Sequence, residues 1–160
     1  MKKLLFLFAI LGVTYTSMAC RCAPLEALTK QEVNEATNLF IGKIRAVDTL
    51  VNTQQVAVLI SVKETIKGEK VKERTVKTNL SSAACGLTLK LGQEWFFFIT
   101  EYKGELRVNM CGRHLNVTKP RFRWCKKKRG SIALDKAQYK NNLKSIEAYK
   151  QFIVALREER

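Results

Sequence analysis

The sequence predicts a mainly β domain, a small closed or half-closed barrel with helices packed on it and a long helix at the C-terminal end. Three observations predict it. Gln55–Lys63 alternates strictly, with Val56, Val58, Ile60 and Val62 on one face, as a half-buried strand does. Glu94–Thr100 (EWFFFIT) is a short aromatic and apolar run of the kind that fills a buried strand. After residue 130 the period changes: Tyr139, Leu143, Ile146, Tyr149, Ile153 and Leu156 recur three and four apart, which is the stripe of an amphipathic helix.

The elements follow in order. Residues 1–19 stand apart from the domain. Lys2 and Lys3 precede an apolar run from Leu4 to Val13, and Ser17 and Ala19 occupy the −3 and −1 positions of a cut before Cys20. The run is too short for a bilayer span and has the length of a signal-peptide core. The expectation is therefore a secreted protein whose mature chain starts at Cys20. Thr29–Thr37 reads as a short helix, with Thr29 as N-cap and Glu32 completing a capping box. Leu39–Val47 reads as a strand with Gly42 at a bulge or bend. After Gln55–Lys63 comes a turn, Lys67-Gly68-Glu69-Lys70, and then a strand over Arg74–Thr78. Ser81–Gly86 is a small-residue loop that contains Cys85. Tyr102-Lys103-Gly104-Glu105 is a hairpin turn after Glu94–Thr100, with Leu106–Met110 returning. Cys111-Gly112-Arg113 ends that strand, and His114 reads as a surface or strand-end residue. The helix is expected over Asp135–Glu158, with Asp135 at the positive end of its dipole. The domain division is 1–19 signal peptide, 20–125 barrel, and 126–160 basic linker and helix.

Composition narrows the function. The 160 residues carry 29 Lys and Arg against 14 Asp and Glu, a net charge of +15, and 46% are hydrophobic. This is globular composition, not that of a disordered chain. Loss of residues 1–19 removes Lys2 and Lys3 and leaves +13. One histidine, His114, rules out a multi-histidine metal site. No nucleophile–base pair, paired carboxylates or phosphate loop stands out, so the chain reads as a non-enzyme without a cofactor. Outside the cytosol, its separated cysteines read as disulfides before metal ligands. Asn79-Leu80-Ser81 and Asn116-Val117-Thr118 are sequons that matter only in a glycosylating host.

The cysteine frame carries a resemblance. A Cys20-x-Cys22 start is followed by Leu39-Phe40-Ile41-Gly42-Lys43-Ile44, a Lys67-Gly68 turn, and Cys85-Gly86 ahead of Leu91-Gly92-Gln93-Glu94-Trp95. Cys111-Gly112-Arg113 follows the next hairpin. Over Cys20–Cys125 this resembles the netrin-like module, and within it the inhibitory domain of the tissue inhibitors of metalloproteinases (TIMPs). The resemblance implies a five-stranded OB-type barrel with flanking helices and the bridges Cys20–Cys85 and Cys22–Cys111. It implies a secreted inhibitor that partners a zinc metalloendopeptidase and holds no metal of its own. The α-amine and carbonyl of Cys20 would chelate the protease zinc. Arg21 would enter the specificity pocket, and Cys22, Ala23, Pro24, Ala83 and Ala84 would make flanking contacts. Family members favour a smaller side chain where Arg21 stands. Burial of an unpaired guanidinium is costly, so Arg21 suits a deep or acidic pocket. The family partner of Cys125 has no counterpart in Ala23–Thr37, and the family's disulfide-rich C-terminal subdomain is replaced by the helix.

A second expectation comes from charge. Residues 119–160 hold thirteen Lys and Arg and four Asp and Glu. Arg121, Arg123, Lys126, Lys127, Lys128 and Arg129, interleaved with Phe122 and Trp124, make a patch for polyanions, a sulfated glycan or an anionic membrane surface. Export argues against nucleic acid as the natural partner. On this alternative the protein is a basic extracellular binding module, non-inhibitory, or a lipoprotein anchored through Cys20. Acylation of Cys20 would block its amine, so anchoring and zinc chelation exclude each other.

Overall fold

The computed structural model describes residues 19–119 and 129–158, with the backbone alone for 129–135. Among the described residues seven strands and two α-helices follow one another. These are α1 (Lys30–Glu35), β1 (Asn38–Leu50), β2 (Gln55–Lys67), β3 (Glu73–Asn79), β4 (Glu94–Ile99), β5 (Glu101–Tyr102), β6 (Glu105–Leu106), β7 (Leu115–Asn116) and α2 (Arg129–Glu158). Five strands form one antiparallel sheet in the order β3-β2-β1-β4-β7. The mainly β class and the long C-terminal helix are as expected. The sheet itself is not closed. Where a barrel would need β3 to pair with the chain after β6, there is one parallel bridge, Lys77 to Arg107, with Val108 N–H donating to Lys77 O at 2.9 Å.

β1 and β2 make a long hairpin, and the first half of β1 also pairs with β4. The β1–β2 ladder shifts register at three places, one of them between Ile41 and Gly42, so the expected bulge is present. Gly42 is required there by space: a Cβ would overlap the Ile60 side chain. The hairpin turn of β5–β6 is also as expected, since Lys103 and Gly104 both have positive φ, the pair of conformations a two-residue turn demands.

Both faces of the sheet are covered. Phe40, Ile44, Val58, Ile60, Val76, Trp95, Phe97 and Ile99 fill one side, with Val56 and Val62 partly buried beside them. Leu39 and Phe96 face the other side and pack with Val33 and Ala36 of the α1 region and Ile146 and Ile153 of α2. The EWFFFIT run is apolar at successive positions because it feeds two cores at once.

Three expectations need correction. α2 starts at Arg129, six residues before Asp135, and runs through Gly130. Gly weakens a helix by about 1 kcal/mol and does not stop one. Leu106–Met110 is not a strand throughout. The ladder ends at Leu106, and the chain then leans on β3 and on Cys85, whose carbonyl accepts from Met110 N–H at 2.9 Å. β7, two residues long, carries too little pattern to be read from sequence. On α2 the stripe holds at Ile146, Tyr149, Ile153 and Leu156 and departs at one position. Leu143 is 41% exposed, while Asn142 is buried and donates to Asn116 O of β7 at 2.7 Å. A polar residue takes the core-facing place because it satisfies a carbonyl of a strand at the sheet edge.

Candidate functional site

The chain from Arg21 to Ala27 has no regular structure, and all seven residues are exposed. So little burial cannot by itself offset the entropy of ordering a segment. Order is imposed from outside it. Disulfides join Cys20 to Cys85 and Cys22 to Cys111, the pairing the resemblance implied. They close loops 65 and 89 residues apart in sequence, each of a length that contributes about 3–4 kcal/mol.

The loop that receives Cys20 is itself rigid. Ser81 Oγ accepts from Ala83 N–H, and Ser81 O accepts from Ala84 and Gly86 N–H. Asn79 Nδ2 donates to Ala84 O at 2.5 Å. Cys85 adopts a left-handed conformation at φ 61°. Cys20 N–H donates to Ala83 O at 3.1 Å, which sets the Cys20 backbone beside exposed Ala83 and Ala84. The structure thus brings Cys20, Arg21, Cys22, Ala23, Pro24, Ala83 and Ala84 to one end of the domain. The two bridges touch: Cys20 Sγ lies 3.7 Å from Cys111 Sγ, and the Sγ atoms of Cys20, Cys85 and Cys111 are all within 4.8 Å of one another.

A further anchor was not anticipated from sequence. Arg113 is only 6% exposed. Its Nε donates to Glu32 Oε1 at 2.9 Å and its Nη2 to Glu32 Oε2 at 3.1 Å and to Glu26 O at 2.9 Å. Glu32 also accepts from Thr29 N–H and donates its own N–H to Thr29 Oγ1, the expected capping box. The Arg113 guanidinium, followed by the Thr29 backbone, holds the Glu32 carboxyl below its ordinary pKa. Cys22 is bonded to Cys111, and Glu26 is held by Arg113 two residues further on. Ala23-Pro24-Leu25 is therefore an arch with both feet on one short stretch of chain. Leu25 stands 55% exposed at its crown, over a cleft of about 280 Å³ lined by Glu32, Arg107, Asn109, Arg113 and His114.

His114 is at a strand end, directly before β7, as expected, and it is half-buried, lining that cleft. Its Nδ1 accepts from Phe98 N–H at 3.3 Å, and its ring packs against Phe97 and over Gly112. Burial pushes its pKa down to about 4, so the imidazole is neutral. The single signal available in sequence, a histidine after Cys-Gly-Arg, does not report burial.

The polyanion candidates Arg121, Arg123, Lys126, Lys127 and Lys128, and Cys125, lie outside the described residues; Arg129 is the first residue of α2. Further along α2, Lys136, Lys140 and Lys144 are exposed at spacings of four, on one side of the helix. A groove of about 620 Å³ between β4, β7 and α2 is lined by Lys43, Glu94, Asn116, Thr118, Lys119 and Tyr139. It shares no residue with the disulfide end.

No protein-family model matches the chain, and no curated protein matches it. The two disulfides suggest an oxidising, extracellular environment. Among the described residues no helix is long and apolar enough to cross a membrane.

Proposed function

We propose that the protein is a secreted, non-enzymatic inhibitor of a zinc metalloendopeptidase, acting as the tissue inhibitors of metalloproteinases do. The observation that carries this reading is the exposed segment Arg21–Ala27 beside half-buried Cys20, pinned at Cys20, Cys22 and Glu26. After cleavage before Cys20, the neutral α-amine has two N–H groups and one lone pair. One N–H serves Ala83 O, and the lone pair is left for a metal. The α-amine has an ordinary pKa near 8, so a usable neutral fraction exists at pH 7. Amine and carbonyl of Cys20 form a chelating pair, the Cys20 sulfur being engaged with Cys85. Segment order before binding lowers the entropic cost of association. Arg21, exposed between the two pinned cysteines, is the side chain offered to the specificity pocket. It selects an enzyme whose pocket is deep or carries a carboxylate.

The test is a panel of zinc metalloendopeptidases assayed against protein beginning at Cys20 and protein bearing one additional N-terminal alanine. Inhibition by the first and a loss of at least a hundredfold in the second supports chelation. Equal potency of the two contradicts it.

A second reading rests on a separate observation, the exposed row Lys136, Lys140 and Lys144 and the groove with Lys43 and Lys119. Here the protein is a basic module for a sulfated glycan or an anionic surface. Salt-dependent retention on a sulfated-glycan matrix, lost on neutralising these lysines and unaffected by the extra alanine, separates it from inhibition. An acyl increment on Cys20 in the intact mass would favour an anchored module and end the chelation reading.

A further inference from the structure

We infer that the groove between β4, β7 and α2 is a saccharide site whose ligand is a pyranose ring bearing an acidic group, a carboxylate or a sulfate ester. This subsite rests on the basic groove of the second reading and adds to it a ligand of defined shape. Three side-chain amides that line the groove carry it. Each spends one end on the protein and keeps the other. Gln93 Oε1 accepts from Lys90 N–H at 2.9 Å and from Trp95 Nε1–H at 3.1 Å. Asn116 Oδ1 accepts from Thr118 N–H at 2.8 Å. Gln138 Nε2 donates to Asn142 Oδ1 at 2.8 Å. The NH2 groups of Gln93 and Asn116 and the Oε1 of Gln138 have no partner among the described residues. Donors and an acceptor are thus tethered before a ligand arrives, and a ring of hydroxyl groups uses both kinds. Half-buried Tyr139 adds an aromatic ring to the lining, the partner against which the C–H face of a sugar packs.

The backbone of the groove wall is already spent. Gly92 N–H donates to Ile44 O, Gln93 N–H to Lys90 O, and Glu94 N–H to Thr118 Oγ1. Asn116 O of β7 accepts from Asn142 Nδ2 of α2. An extended peptide docks by main-chain bonds to an open sheet edge, and here these groups are taken. What the groove offers is side-chain hydrogen bonds, a ring and charge. Glu94 on its wall is paired with Lys63 at 2.5 Å. Lys43 and Lys119 have no ion pair among the described residues, so the lining holds two uncompensated cations and favours an acidic ligand. Its volume of about 620 Å³ lies within the range of small-ligand sites.

The experiment titrates protein beginning at Cys20, disulfides intact, and follows NMR chemical shifts. The probes are an unsulfated tetrasaccharide containing glucuronate, a cello-tetrasaccharide bearing one sulfate ester, the neutral cello-tetrasaccharide, and inorganic sulfate. The expected result is a saturable shift of the Gln93, Asn116, Thr118 and Tyr139 amides by an acidic saccharide, with a Kd of about 1 mM or below. The probe that saturates identifies the acid as carboxylate or sulfate. The neutral sugar and the bare ion should bind at least about tenfold more weakly. Asn116→Asp keeps the acceptor for Thr118 N–H and exchanges the NH2 donor for a negative oxygen, so it should abolish the shift. Tyr139→Ala should weaken binding about tenfold, and because it keeps every lysine it should leave retention on a sulfated-glycan matrix unchanged. Circular dichroism checks that each variant is folded. A chain retained on the matrix but silent to both acidic saccharides overturns the subsite and leaves the second reading standing, whereas a chain that fails both tests overturns both. The subsite is overturned equally if the neutral sugar or inorganic sulfate matches the acidic saccharides, if the shifts fall outside the groove, or if both folded variants bind as the unaltered chain does.

Discussion

The two ends of this chain are ordered by opposite means. The segment Arg21–Ala27 is exposed throughout and is held by two disulfides and one guanidinium. α2 is held by what it buries, chiefly Ile146 and Ile153 against Leu39 and Phe96, with the Tyr149 ring tilted against that of Phe96 at 5.9 Å between centroids. A segment whose side chains all face solvent cannot be ordered by burying them, so it must be fixed by bonds that leave them outside. A helix that covers a sheet face has no such need. Covalent and ionic changes should therefore act on the first region, and changes of apolar volume on the second.

The largest expected effect breaks the covalent side. Cys22→Ser/Cys111→Ser removes a bridge spanning 89 residues and should cost about 4 kcal/mol in denaturant unfolding. It should release the segment and abolish the inhibition proposed for it while the helical signal of α2 persists under folding conditions. Next, Ile153→Ala, at a site 4% exposed, should cost about 3 kcal/mol, with the disulfides and the segment unchanged. Arg113→Met removes the guanidinium from Glu32, 37% exposed at its side chain, and from Glu26 O, while Thr29 N–H still serves Glu32. A cost of about 2 kcal/mol is expected, below the range for fully buried pairs. Amide exchange should rise across residues 23–27 and not in α2. A uniform rise in both would show that Arg113 supports the whole fold and not the arch.

pH sharpens the comparison from a third side. His114 is neutral in the fold with its pKa lowered to about 4, and its unfolded value is 6.5. Its contribution is complete above pH 6.5 and is lost as pH falls toward 4, because the unfolded chain takes up the proton first. Between pH 7 and 4.5 the loss should be about 2 kcal/mol in denaturant melts. His114→Asn, which keeps an acceptor for Phe98 N–H, should flatten that slope. Glu32, whose pKa is lowered by Arg113, adds its own loss only below its ordinary value of 4.5. The smallest effect is the control on α2: Leu143→Ala, at an exposed position, should change stability by less than about 0.5 kcal/mol.

Local pattern was enough for the capping box at Thr29 and Glu32, the alternation of β2, the bulge at Gly42 and the turn at Lys103-Gly104. Each is written in residues a few positions apart, where side-chain period and φ preference act directly. The cysteine frame pointed to the segment at Cys20 and, through a family resemblance, to its pairing. Only tertiary structure decided the rest. Arg113 meets Glu32 across 81 positions, Asn142 reaches Asn116 across 26, and the sheet stays open beyond a single bridge at Lys77 and Arg107. Nothing in a window of sequence distinguishes Arg113 from the chain's other arginines, or His114 from an exposed histidine. What distinguishes them is which carbonyls, carboxylates and rings arrive around them when both faces of the sheet are covered, and that is a property of the packed whole.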